Sequence, residues 1–94
     1  MQKKLVIFTL PGCPYCRKAR EAVKELCAEN PAYDSVEIEW INEEQHPEIA
    51  RRYPYYYVPS IFCGGEKLFE CKPGDQYSKI KGEVENALKA AAAS

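Results

Sequence analysis

Apolar residues in this chain change their period several times, and each change marks an element. Leu5, Val6, Ile7 and Phe8 run without a break inside residues 4–9, the pattern of a strand covered on both faces. Pro11-Gly12 ends it. Ala19, Ala22, Val23, Leu26 and Cys27 then recur at the spacing of one helical stripe,. Pro14 suits the first helical position, where a missing N–H costs nothing. Arg17 and Glu21 are spaced i, i+4 on its exposed side,, and Asn30-Pro31 stops the helix. Over residues 35–41, Val36, Ile38 and Trp40 alternate with Glu37 and Glu39. That alternation predicts a half-exposed strand at a sheet edge. His46-Pro47-Glu48 starts a short helix reaching about Tyr53. Tyr55-Tyr56-Tyr57-Val58-Pro59 is a loop leading into a strand over residues 60–63. Gly64-Gly65 reads as a two-residue hairpin turn, with an antiparallel return over residues 66–71. Lys72-Pro73-Gly74 turns the chain again. Asp75 is the expected N-cap of a last helix in which Tyr77, Ile80, Val84, Leu88 and Ala91 share a face,.

The resulting order, β-α-β-α-β-β-α, predicts an α/β domain. Parallel strands flank the first helix and the glycine turn makes the second pair antiparallel. A four-stranded mixed sheet with helices on both faces follows. At 94 residues the chain is one domain spanning 1–94. Hydrophobic residues make up 46% and charged residues 29%, which are globular proportions. Thirteen Lys and Arg against 14 Asp and Glu leave a net charge of −1, a poor match to a phosphate backbone. No nucleic-acid partner is expected. The apolar run from Leu5 to Leu10 is too short to cross a bilayer and lacks a small-residue cleavage site after it. The expectation is a protein that is neither membrane-bound nor exported, and is cytoplasmic.

Cysteine usage supports that compartment. The five cysteines are an odd number, unlike a secreted disulfide framework. Only Cys13 and Cys16 are close. Cys13-Pro14-Tyr15-Cys16 falls between a strand and a helix, so Cys13 sits where unpaired N–H groups and the helix dipole favour a thiolate. Arg17 and Lys18 add positive charge. Cys16, one turn on, is within reach of a mixed disulfide formed at Cys13. Cys13 is therefore read as the attacking thiol and Cys16 as the resolving one. Half of a zinc site is the alternative. It needs two more ligands, and Cys63, Cys71 and the solitary His46 supply a poor second pair. No bound metal is expected.

Phe8-Thr9, Cys13-Pro14-Tyr15-Cys16 and Val58-Pro59-Ser60-Ile61-Phe62 together resemble the dithiol glutaredoxins, over nearly the whole chain. The resemblance implies a thioredoxin-like fold, a monomer with no permanently bound cofactor, and glutathione as co-substrate. It implies that Pro59 is a cis-proline facing the cysteines. Pro14, Tyr15, Tyr57, Val58 and Pro59 would bind glutathione or an extended peptide, whose main chain pairs with an exposed strand start. Three positions depart from the pattern: Leu10 replaces a frequent lysine, Tyr57 a threonine, and Cys71-Lys72-Pro73-Gly74-Asp75 a glycine pair followed by aspartate. Within that last segment Gly74 and Asp75 are the residues available to hold the γ-glutamyl end. The Lys72-Pro73-Gly74-Asp75 turn is also similar to glutaredoxin-like electron donors that serve ribonucleotide reductase and are recharged by thioredoxin reductase. Partners implied are thus disulfide-containing proteins, glutathione, and a glutathione or thioredoxin reductase system. A glutathione-dependent [2Fe–2S] carrier and a redox-sensing binding module are the rival functions.

The remaining candidates have plainer readings. Cys27 lies on the apolar stripe and reads as core. Cys63 is expected to face Glu66 across the hairpin, so a bridge to Cys71 is not expected. Arg51, Arg52, Tyr53, Tyr55, Tyr56 and Tyr57 wall a groove beside Pro59 or cover the sheet end. His46 is a surface helix start.

Overall fold

The computed structural model describes residues 3–93. Its sheet has the strand order β2-β1-β3-β4. β1 (Leu5–Thr9) lies inside the sheet, parallel to β2 (Ile38–Asn42) and antiparallel to β3 (Ser60–Cys63), which pairs antiparallel with β4 (Glu66–Glu70). An inner strand needs apolar residues on both faces, and β1 supplies them alternately. Leu5 and Ile7 pack with α1 (Pro14–Glu29) and α3 (Tyr77–Ala92), whose core residues include Ala19, Ala22, Leu26, Ile80, Val84 and Leu88. Phe8 joins Ile41 and Phe62 on the opposite face, under Ile49 and Ala50 of α2 (Pro47–Ala50). The expected four-stranded mixed sheet with helices on both faces is the observed architecture.

Four details differ from the expectation. β2 begins at Ile38, because residues Pro31–Ser35 wind into a 3-10 turn first. Asn30 Oδ1 accepts the Ala32 N–H at 3.1 Å and the Ser35 hydroxyl donates to the Ala32 carbonyl at 2.9 Å. Those local bonds hold the backbone out of the extended state. The turn also carries Tyr33 into the core, where its hydroxyl donates to Glu85. α2 stops at Ala50 and not at Tyr53, and turns carry the chain onward. Pro54 follows, and the residue before a proline is pushed out of helical geometry.

Asp75 is not the N-cap of α3. Gln76 holds that position with no side-chain capping bond. The Asp75 carboxylate instead accepts the Lys72 N–H at 2.9 Å and closes its own turn. Finally, β4 carries a register shift opposite Ile61 and Phe62. The turn itself is as expected, with Gly64 at φ 58° and Gly65 at φ 85°, the left-handed pair that a tight hairpin requires. Cys63 accordingly faces Glu66. Beyond Lys67 one extra residue enters β4, so that Phe69 pairs with Ile61 and Glu70 with Ser60,.

The tyrosines after α2 have two fates. Tyr53 and Tyr55 cover the sheet, with ring centroids 4.8 and 4.7 Å from that of Phe8. The Tyr55 hydroxyl donates to Glu43 at 2.7 Å. Tyr56 and Tyr57 face outward. His46 is exposed at the start of α2.

Candidate active site

Pro11-Gly12 turns the chain sharply after β1, with Gly12 at φ 72°, and delivers Cys13 to the N-cap of α1. There the Cys13 sulfur accepts the Cys16 N–H at 3.3 Å. It thus takes the place of the usual hydroxyl or carboxylate oxygen at a helix start. Pro14 is the first helical residue and is exposed. The first turn of α1 contains no acidic residue, while Arg17 and Lys18 follow. The Cys13 sulfur therefore meets a backbone donor at the positive end of the helix,.

The two thiols are unequal. Cys13 is half-buried, whereas Cys16 is 3% exposed. Burial first, then the hydrogen bond to Cys13, pushes the Cys16 thiol up to about 12. It stays protonated at neutral pH. A third thiol lies behind them. Cys71 is buried, and burial, reinforced by the Asp75 charge, pushes it up to about 11. Cys27 packs against the core from its rim and is only half-buried.

Opposite Cys13 stands the loop before β3. The Val58–Pro59 bond is cis, Pro59 is fully buried, and the Val58 carbonyl lies 4.0 Å from Cys13 Sγ, which donates to it. The structure therefore brings Cys13, Cys16, Val58 and Pro59 together. Tyr57, the next residue back, is 39% exposed. Tyr15, Gly74 and Asp75 form a second group. The Gly74 N–H donates to the Tyr15 hydroxyl at 2.7 Å, and Lys18 Nζ sits 5.3 Å from the Tyr15 ring centroid. Both polar groups expected to meet a ligand in this turn are thus engaged within the protein: Gly74 by Tyr15, and Asp75 by Lys72. The Cys71 N–H, bonded to the Pro59 carbonyl at 3.0 Å, ties the second group to the first.

One residue of this region was not anticipated. Glu70 Oε2 accepts the N–H groups of both Tyr56 and Tyr57 at 2.7 Å. Its Oε1 takes Lys67 Nζ at 2.8 Å, and Lys67 also donates to the Pro54 carbonyl. The ammonium and the backbone donors hold this carboxyl down at about 2. Glu70 reaches the loop only because of the register shift in β4, so a plain hairpin register gives no hint of it. Among the described residues, no group of three or more His, Cys, Asp or Glu side chains is arranged to hold a metal ion.

Comparison with known proteins agrees with this geometry. Residues 5–68 match the family model Glutaredoxin. The chain is 39% identical over 66 residues to a thioredoxin of Methanocaldococcus jannaschii, covering 70% of this chain and 75% of that one. It is 32% identical over 79 residues to a glutaredoxin of Vibrio cholerae, covering 80% and 90%. Among solved structures, thioredoxin 1 from Thermosipho africanus superposes with a TM-score of 0.59 at 15% identity, covering 92% of this chain and 94% of the other. That last likeness establishes the thioredoxin-like fold. The sequence match runs from β1 through both cysteines and the cis-proline into β4, more than half the chain, and on that basis this protein belongs to the glutaredoxin family.

Proposed function

We propose that the protein is a thiol-disulfide oxidoreductase that reduces protein disulfides and glutathione mixed disulfides. One observation carries this reading: Cys13 Sγ occupies the N-cap of α1 and accepts the Cys16 N–H, while Cys16 itself is buried and protonated. The Cys13 thiolate attacks one sulfur of the substrate disulfide. A Cys13–substrate S–S bond forms and the other substrate sulfur leaves as a thiolate, which takes up a proton. Cys16 then gives up its proton and attacks Cys13 Sγ. The second substrate thiolate departs and an intramolecular disulfide remains. Two electrons and two protons pass to the substrate per cycle. Val58 and Pro59 form the wall along which an extended substrate lies, its main chain beside the Val58 carbonyl. Pro14, Tyr15 and Tyr57 border that path.

The oxidised pair is returned to the dithiol either by two glutathione molecules, giving glutathione disulfide, or by the dithiol of a flavoprotein reductase. The second route is favoured by the engagement of Gly74 and Asp75 inside the protein, since both are donor and acceptor positions a γ-glutamyl group would need. The similarity to archaeal proteins named thioredoxin points the same way. A monomer acting in the cytoplasm, where Cys27, Cys63 and Cys71 remain thiols, completes the proposal.

The test is a turnover assay on a glutathione mixed disulfide and on a protein disulfide. Each substrate is run with glutathione plus its reductase and, separately, with thioredoxin reductase. Turnover with at least one recharging system, lost in Cys13→Ser, is expected. Absence of turnover in all four combinations overturns the reading.

A further inference from the structure

A cleft of about 460 Å³ opens on the β2 side of the cysteines, away from Pro59. Cys13 and Cys16 form part of its wall. Arg17 and Arg20 are its charged lining, with His46 beside them and no aspartate or glutamate. His46 has a partner, since its Nδ1 lies 3.5 Å from Glu48. The two arginines do not: among the described residues neither forms an ion pair. Arg20 is held in place, its guanidinium 4.3 Å from the Trp40 ring centroid. Stacking on an indole orients the plane of the group while leaving its N–H edge for a ligand.

Arg17 and Arg20 sit one turn apart near the N-terminal end of α1. No acidic residue in the first turn offsets them. Glu21 follows on the same helix but forms no ion pair with either arginine, so both guanidinium groups line the cleft without a bound carboxylate. The chain as a whole has a net charge of −1, so general attraction of anions is weak and selection must be local. Two guanidinium forks close together match carboxylates. Because Cys13 is part of the cleft wall, substrate residues flanking a sulfur joined to it come within reach of the cleft, an extended segment advancing about 3.3 Å per residue.

We infer that the Arg17–Arg20 cleft binds acidic side chains flanking the target disulfide of a protein substrate, and so sets which disulfides are reduced. This rests on Cys13 being the attacking thiol. Glutathione also carries carboxylates, so the test separates the two sources. Four thiopyridyl disulfides serve as substrates: peptides whose cysteine is flanked by Asp and Glu, by Asn and Gln, or by Lys, and glutathione itself. Release of thiopyridone reports the attack by Cys13.

Expected at low salt is a kcat/KM order of acidic, neutral, basic, each step up to about fivefold per cation, the range of an exposed ion pair. The spread narrows as salt is added. Arg20→Gln reduces the acidic preference. Arg20→Glu abolishes it, and the rate on the neutral peptide stays unchanged in both variants. Equal rates on acidic and neutral peptides in the wild type overturn the inference, and so does a preference that survives Arg20→Glu. It is equally overturned if Arg20 governs only the glutathione substrate. Because the salt dependence is read on the wild-type protein, the result does not hang on how a variant folds. Failure of the wild type to attack even the neutral peptide would instead overturn the role of Cys13, and the cleft's role with it.

Discussion

At the scale of single residues, the chemistry comes from making two identical side chains different. Cys13 caps a helix and is open to solvent on one side; Cys16, three residues on, is closed off and held protonated. Two predictions follow from that asymmetry. At neutral pH a small alkylating reagent modifies Cys13 first, and peptide mapping finds Cys16 unmodified on the same timescale, because Cys13 is accessible while Cys16 is buried and held protonated,. In Cys16→Ser the first step survives but the resolving thiol is gone. The variant accumulates a covalent Cys13 adduct, visible in intact mass as the protein plus one substrate half. Turnover of protein disulfides falls to background, while Cys13→Ser forms no adduct.

Among elements, the loop before β3 is steered from the sheet edge. Glu70 and Lys67, both on β4, grip residues Pro54, Tyr56 and Tyr57, and the Val58 carbonyl follows directly in the chain. Glu70→Ala removes two charge-assisted bonds and an ion pair. We expect a loss of about 1–3 kcal/mol in urea unfolding and faster amide exchange at Tyr56 and Tyr57, with α1 amides unaffected. The sign of the acid dependence follows from the depressed carboxyl. Ionised Glu70 stabilises the fold at pH values above the unfolded glutamate range of about 4.3. That contribution drains away as pH falls toward about 2, and Glu70→Ala has a flatter stability profile in that window. Alternation and the Gly64-Gly65 turn made β3 and β4 legible as a hairpin. The extra residue in β4 was not legible, because Leu68 and Phe69 are both apolar and either could have turned toward Ile61. Packing of Phe69 with Ile61 settles it, and Glu70 reaches the loop as a consequence.

For the whole molecule, two apolar layers enclose the sheet, the larger under α1 and α3 and the smaller under α2. Leu88 is fully buried in the larger layer, and Leu88→Ala is expected to cost about 2–5 kcal/mol, read as a lower urea midpoint. Alkali acts on the buried thiols. Cys16 and Cys71 are buried thiols with raised values, so folding favours their protonated forms. The stability this provides is complete below the unfolded thiol range of about 8.5 and is lost as pH climbs toward about 11 and about 12. Thermal melts of the reduced protein at increasing pH are expected to fall across that window, and Cys71→Ala to fall less steeply.

Much of this protein is written locally. The strand β1, the stripe of α1, the glycine turn and the face of α3 each depend on spacing within a dozen residues or so, and spacing survives in a linear string. The cysteine pair is legible for the same reason, since one helical turn separates the two thiols. Contacts between distant segments are different, because they depend on how layers settle against each other. The Tyr15 hydroxyl meets Gly74, Asp75 folds back on its own turn instead of capping α3, and Glu70 holds the loop that faces Cys13. Each joins groups whose meeting is decided by a register shift, a 3-10 turn or the seating of one helix on another. Those outcomes turn on side-chain volume summed over the whole core, a quantity that no local period encodes.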